Sequence, residues 1–245
     1  MASRYYDEEA GLLGGGPKDS YAFEFAERQV RHGFVRKVLG LLGTQLLITA
    51  AVTALFVFSV PVKTYIFTSQ WPFWTAFAVS LVLILALSFS ENLRRSHPLN
   101  LFVLAGFTLC EAVLVGTVSA MYDTKIVLLA IGITTVVVLG CALFATQSKV
   151  DLTVANGLLM SVLLAVFAAS LLNLFIRAAW LYVGICVAGV VLFSLYLIFD
   201  LQLLMGGHKY ALSPDEYVFA SLSIYLDIIN IFLYLLQLLG SQDSR

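Results

Sequence analysis

The chain has 245 residues, 60% of them hydrophobic and only 12% charged. A soluble domain is about 45–50% apolar and about 25% charged, so this excess excludes a single soluble core. A net charge of −1 leaves no basic surface for nucleic acid.

The first 37 residues are mostly polar and broken by Gly14-Gly15-Gly16-Pro17. They hold no apolar leader segment, so residues 1–33 read as a flexible polar tail, with membrane targeting left to the first spanning helix. A spanning helix needs about 20 mainly apolar residues. Seven runs qualify: 38–60, 71–90, 99–121, 126–146, 154–175, 178–199 and 218–239. The sixth can continue through Leu201 to Met205 before Gly206-Gly207 stops it. Runs this long and apolar do not alternate with period two, which excludes strands. Hydrogen bonding inside lipid then leaves helices. The expectation is an all-α integral membrane protein: a seven-helix membrane domain over 34–240 and a short tail over 241–245.

Connections are short. Asp123-Thr124-Lys125 and Ile176-Arg177 are nearly minimal and force antiparallel neighbours. The longest, from Gly206 to Tyr217, carries His208, Lys209, Asp215 and Glu216. No connection has room for a soluble catalytic domain. Orientation follows from Lys and Arg beside the membrane. A cytosolic N-terminus puts Arg28, Arg31, Arg36, Lys37, Arg94, Arg95, Lys149 and Lys209 on the cytosolic side. It leaves Lys63, Lys125, Arg177 and Arg245 on the other. Cys110, Cys141 and Cys186 fall inside apolar runs and read as small packing residues, without metal-ligand or disulfide spacing.

No Lys or Arg lies inside the seven runs, but acids do. Asp227 sits mid-run in the last, where a carboxylate costs at least a few kcal/mol and needs a partner or a watery cavity. Ser223, Asn230, Tyr234 and Gln237 fall on the same side of that helix at about 100° per residue. Such a stripe belongs inside the bundle, lining a cavity or bonding to neighbours. Asp200 closes the sixth run, on a helix that the short connection makes a neighbour of the last. Taken alone, it could equally reach headgroup water. Two facing carboxylates in low dielectric share a proton and so sense pH; deprotonated, they offer hard oxygen ligands suited to transient Ca²⁺ contact. Glu111, one turn after Thr108, either lines the same path or makes a bundle contact. Arg94 and Arg95 either anchor the cytosolic side or supply a counter-charge that reaches the acid pair and closes the path.

Certain segments resemble a known family. Leu212-Ser213-Pro214-Asp215-Glu216-Tyr217-Val218, Ala220-Ser221 and the stretch Leu226-Asp227-Ile228-Ile229-Asn230-Ile231-Phe232-Leu233 look like the closing signature of the transmembrane Bax-inhibitor-motif (lifeguard) family. Ile198-Phe199-Asp200 resembles its sixth-helix segment, with Phe199 where Tyr is common. His97 to Leu101, Gly106 to Glu111 and Gln147 to Asp151 are most similar to the Golgi anti-apoptotic branch. The likeness covers about residues 34–240. It implies a seven-helix bundle with the last helix central. It also implies a pH-sensitive Ca²⁺ leak from Golgi or endoplasmic reticulum that suppresses cell death, with no cofactor beyond the permeant ion. The family's aspartate dyad would be Asp200 with Asp227, and its gating arginine Arg94 or Arg95. An acid before the last helix, here Asp215 with Glu216 beside it, is linked to conduction in that branch. Beyond lipid, Ca²⁺ and H⁺, the implied partners are cell-death regulators or calcium-release channels.

Two other classes compete. A non-conducting regulator would act by binding other membrane proteins. An intramembrane aspartyl protease would need Gly-x-Gly-Asp at its second acid. Here Tyr225-Leu226 precedes Asp227, and no Pro-Ala-Leu follows, which argues against an enzyme.

Overall fold

The computed structural model describes residues 17–148, 150–206 and 209–243. Residues 1–16, 149, 207–208 and 244–245 lie outside the described residues, and with them the glycine-rich stretch, Lys149, Gly207, His208 and Arg245 named above. The side chains of 17–28, Arg28 included, and of 242–243 lie outside them too.

The described chain is helical, and no strand occurs among the described residues. In order the helices are α1 Pro17–Phe58, α2 Val60–Thr68, α3 Trp71–Phe89, α4 Glu91–Arg95, α5 Leu99–Ser119, α6 Thr124–Gln147, α7 Asn156–Ile176, α8 Ala179–Met205 and α9 Tyr217–Asp243. Single 3₁₀ turns at Leu152–Ala155 and Pro214–Glu216 lead into α7 and α9. Seven of these helices, α1, α3 and α5 to α9, are long and apolar enough to span a bilayer. The protein is therefore a seven-helix integral membrane protein.

Local chemistry sets the boundaries. Pro61 has no amide hydrogen and its ring would strike the Val57 carbonyl were α1 to continue, so the chain breaks at Ser59 and restarts as the short α2. The Ser90 and Asp123 side chains cap α4 and α6, accepting from the Leu93 and Lys125 amides. Gly206, at φ 71°, ends α8 where the glycine pair predicts a stop. At its start α1 differs from the expectation. It reaches back to Pro17, through part of the segment assigned to the tail. Pro at a first helical position is preorganised, and the Ala-, Glu- and Arg-containing stretch behind it favours helix without an apolar run to announce it.

Burial is uneven across the bundle. The apolar window of α9 is 67% buried, against 11% for the window that contains α7. α9 packs against α1, α5, α6 and α8. Its Leu222, Ile224, Tyr225, Ile231 and Leu236 join Leu104 and Phe107 of α5 and Leu197 and Leu204 of α8 in one core. By contrast α7 shows Leu164, Phe167, Leu172 and Phe175 outward. Hydrocarbon tails solvate such side chains as well as a core does, so nothing drives them inward. Close approach of α8 and α9 depends on Gly189, where a Cβ would meet the Tyr234 ring at 2.6 Å.

Candidate functional site

The site is built where α8 and α9 cross. Asp200, five residues before the end of α8, and Asp227, near the middle of α9, bring their carboxyl groups into hydrogen-bonding contact. Asp227 is 5% exposed, and Asp200 is partly buried. One oxygen of the pair, Asp227 Oδ2, is buried without a hydrogen-bond partner. Among the described residues no Lys, Arg or His forms an ion pair with either acid. Two carboxyls in contact without a compensating cation cannot both ionise cheaply, so one proton between them is the low-energy arrangement.

Aromatic rings surround the pair. Tyr196, one turn before Asp200, interacts electrostatically with both acids, and its buried hydroxyl has no hydrogen-bond partner. The Phe193 ring packs 6.1 Å from Tyr196 and stacks on Tyr234 at 5.9 Å. Tyr196 thus presents a hydroxyl near the acids although Phe199 does not. The sequence reading missed it; its spacing of four from Asp200 was the available signal.

The polar stripe of α9 leads away from the pair toward the end of the bundle where Lys125 and Arg177 lie. Asn230 Nδ2 donates to the carbonyl of Leu226 on its own helix, at 2.8 Å. Ser223 and Asn230 are both half-buried. Further along, Gln237 Oε1 accepts from the Tyr182 hydroxyl at 3.3 Å. Tyr182, Gln237, Tyr122, Asn173 and Arg177 line an open cavity of about 670 Å³. Burial raises the Tyr122 phenol above its ordinary range; a bond with Tyr182 opposes this, and the nearby Cys186 adds to it.

At the opposite end the charged side chains pair with one another. Arg94 and Arg95 both pair with Glu216, at 3.6 and 3.4 Å, and Arg94 also lies 4.9 Å from the Phe219 ring centroid. The expected contact between an arginine and the aspartate pair is therefore not made in this structure. Glu216 stands immediately before α9, beside the α4 turn that carries both arginines, and takes that role first. Asp215 is exposed. Around this clamp, Lys37 Nζ lies 3.2 Å from the Tyr217 ring centroid, and Asn100 Nδ2 donates to the Tyr217 hydroxyl at 3.0 Å. Arg31 donates to the Leu212 carbonyl at 2.8 Å. Gln202, fully buried two residues after Asp200, accepts from the Leu152 amide and donates to the Val150 carbonyl. It ties the end of α8 to the chain entering α7. An amide in an apolar run gave no sign of that partner.

Glu111 lies elsewhere. It bonds with Ser80 of α3, and its charge acts on Tyr225, two residues before Asp227. Two residues turn a helix by about 200°, so Tyr225 and Asp227 face opposite sides of α9. On the Tyr225 side Thr49 and the Tyr225 hydroxyl bond at 2.8 Å, and Gln45 Nε2 donates to Thr108 Oγ1 at 3.2 Å. Gln45 Oε1 is left unpartnered, but it is a neutral amide oxygen. Of the residues predicted to form the site, the structure joins Asp200 to Asp227 and Arg94 and Arg95 to Glu216, and sets Glu111 in a separate polar cluster.

The comparisons with known proteins agree on one family. Residues 31–244 match the family model described as inhibitor of apoptosis-promoting Bax1. The chain is 38% identical over 224 residues to protein lifeguard 3 of Mus musculus and 37% identical to that of Homo sapiens, covering 90% of this chain and 72% of each relative. It is 37% identical over 220 residues to the Golgi anti-apoptotic protein of Vaccinia virus (strain Lister), covering 90% of both.

Proposed function

The chain belongs to the family of inhibitors of apoptosis-promoting Bax1, and from that premise we propose that it is a pH-sensitive Ca²⁺ leak channel of intracellular membranes, gated by Asp200 and Asp227. Its leak lowers store calcium and so suppresses cell death. The carrying observation is the contact between two acids inside the membrane domain, neither of which forms an ion pair with a cation among the described residues. With one shared proton the pair is a closed hydrogen-bonded bridge between α8 and α9. Losing that proton leaves two like charges in low dielectric, which push apart or recruit a cation.

Ca²⁺ takes six to eight oxygen ligands. Among the described residues no three His, Cys, Asp or Glu side chains cluster closely enough to hold a metal. An ion at the pair would keep most of its water and pass on, as a permeant ion must. The route runs from the 670 Å³ cavity along Gln237, Tyr234 and Asn230 to the acids, and from there to the side closed by Glu216 with Arg94 and Arg95. The bias of Lys and Arg toward that side supports reading it as the cytosolic one. The name of the viral relative favours Golgi membranes; the endoplasmic reticulum is the other candidate.

Protein reconstituted in liposomes loaded with a calcium dye tests this reading. Flux should rise with pH in the wild type, and Asp227→Asn and Asp200→Asn should each flatten the response. Unchanged flux and pH response in both folded variants removes the dyad from the mechanism. Variants that lose flux yet still protect cells would move the function to binding of cell-death regulators.

A further inference from the structure

The cavity of about 670 Å³ is lined on α8 by Ala179, Tyr182 and Val183 and on α9 by Gln237, Gly240 and Ser241. Tyr234, the next residue of the polar stripe toward Asp227, is not part of that lining. Its ring lies flat against α8 instead. A Cβ on Gly189 would meet it at 2.6 Å, so the missing side chain is what lets the ring reach the α8 backbone. The same ring stacks on Phe193, with centroids 5.9 Å apart and planes 27° from parallel. Phe193 stands seven residues before Asp200, and Tyr234 seven after Asp227. Because α8 and α9 are packed antiparallel neighbours, both rings lie about 10.5 Å from the acids, on the cavity side.

We propose that the Tyr234–Phe193 stack is the barrier between the cavity and the aspartate pair, and that Tyr234 is the ring that turns aside to let a hydrated cation through. This barrier belongs to the conduction path proposed above and rests on that reading. On either side of it the stripe is polar. Gln237 lies toward the cavity, and Asn230 and Asp227 lie toward the acids. Amide and carboxylate oxygens can stand in for the water that a cation sheds, but two stacked ring faces cannot. Apolar constrictions close pores by excluding water. Phe193 is held between two rings, with Tyr196 at 6.1 Å on its other side, and Tyr196 in turn meets Phe199 edge-on at 6.4 Å. Tyr234 ends that row and is half-buried, so it is the member that turns without disturbing the rest. The path then has two barriers in series: a ring that must move and a carboxyl pair that must lose its proton.

The test is thiol accessibility in the full chain, reconstituted in sealed phosphatidylcholine vesicles at mildly acidic pH, where the pair keeps its proton. The reagent is a membrane-impermeant trimethylammonium methanethiosulfonate, with adducts at positions 230 and 237 read by mass spectrometry. Gln237→Cys, on the cavity side, should label quickly. Asn230→Cys, behind the stack, should label several-fold more slowly. Adding Tyr234→Ala should raise the Asn230→Cys rate several-fold, toward that of Gln237→Cys. Adding Tyr234→Phe keeps the ring and should leave it slow. Phe193→Ala removes the other ring and poses the same question should Tyr234→Ala misfold. Rapid labelling of Asn230→Cys with both rings in place, or slow labelling that neither alanine variant changes, overturns the proposal. Calcium-dye flux separates its failure from that of the channel reading. Tyr234→Ala should raise the leak several-fold at every pH without moving its midpoint. The expected labelling pattern with no flux in any variant would sink the channel reading and leave the barrier standing.

Discussion

The two faces of α9 bury polar groups at similar depth and to opposite effect. On one, Tyr225 meets Thr49, while Gln45 meets Thr108 and Glu111 meets Ser80 across α1, α3 and α5. These are mostly neutral partners, each donor matched to an acceptor. On the other, Asp227 meets only another acid, with a buried oxygen and a nearby Tyr196 hydroxyl left over. The first face is glue between helices, worth a fraction of a kcal/mol per bond in membranes. The second has two charge states and a reason to change shape between them. Polar residues alone do not mark a site; an arrangement that cannot be satisfied in both protonation states does.

The contrast can be broken by exchanging roles. Asp227→Asn should remove a pH-dependent change in Ca²⁺ flux of up to tenfold per pH unit, roughly the limit for a single-proton gate. Glu111→Gln should leave the pH midpoint where it was. A midpoint that follows Glu111 in the same liposome assay would reverse the assignment of the two faces. Next in size is Gly189→Ala. Its methyl group would strike the Tyr234 ring, and overpacking costs about 1–3 kcal/mol. Thermal unfolding in detergent should show that loss; an unchanged midpoint would mean that α8 and α9 are not held this tightly. Tyr225→Phe deletes the bond to Thr49 and should cost about 0.6 kcal/mol while sparing the pH profile of flux. Smallest is Glu216→Gln. Arg95 is about half exposed, and the shielded Arg94 contact is long at 3.6 Å and can still be accepted by the Gln carbonyl oxygen, so the stability change should stay below about 1 kcal/mol. A larger loss would mean that the clamp, and not the core around α9, holds the cytosolic end together.

Much of this was legible in the chain. Length and apolar character located all seven spans, and the short connection after Gly206 made α8 and α9 neighbours, which is what brings Asp200 to Asp227. Periodicity placed Ser223, Asp227 and Asn230 on one stripe. What periodicity cannot give is which neighbour a stripe faces. Glu111 was therefore open between two roles until Tyr225 and Ser80 were seen beside it. The role of the arginines was open for a related reason: Glu216 lies next to the site in sequence, but its reach to α4 depends on the turn that starts α9. Gln202 and Tyr196 were overlooked because a lone polar group in an apolar run does not announce its partner. The helical stretch from Pro17 was hidden because polar helix gives no apolar signal.

The central claim is that Asp200 and Asp227 hold one proton between them in the closed protein. Infrared difference spectroscopy of the reconstituted protein, titrated with pH, reads it directly. A protonated carboxyl band should fade as pH rises, be lost in Asp200→Asn and in Asp227→Asn, and persist in Glu111→Gln. A band that survives both aspartate substitutions and vanishes with Glu111 would contradict it.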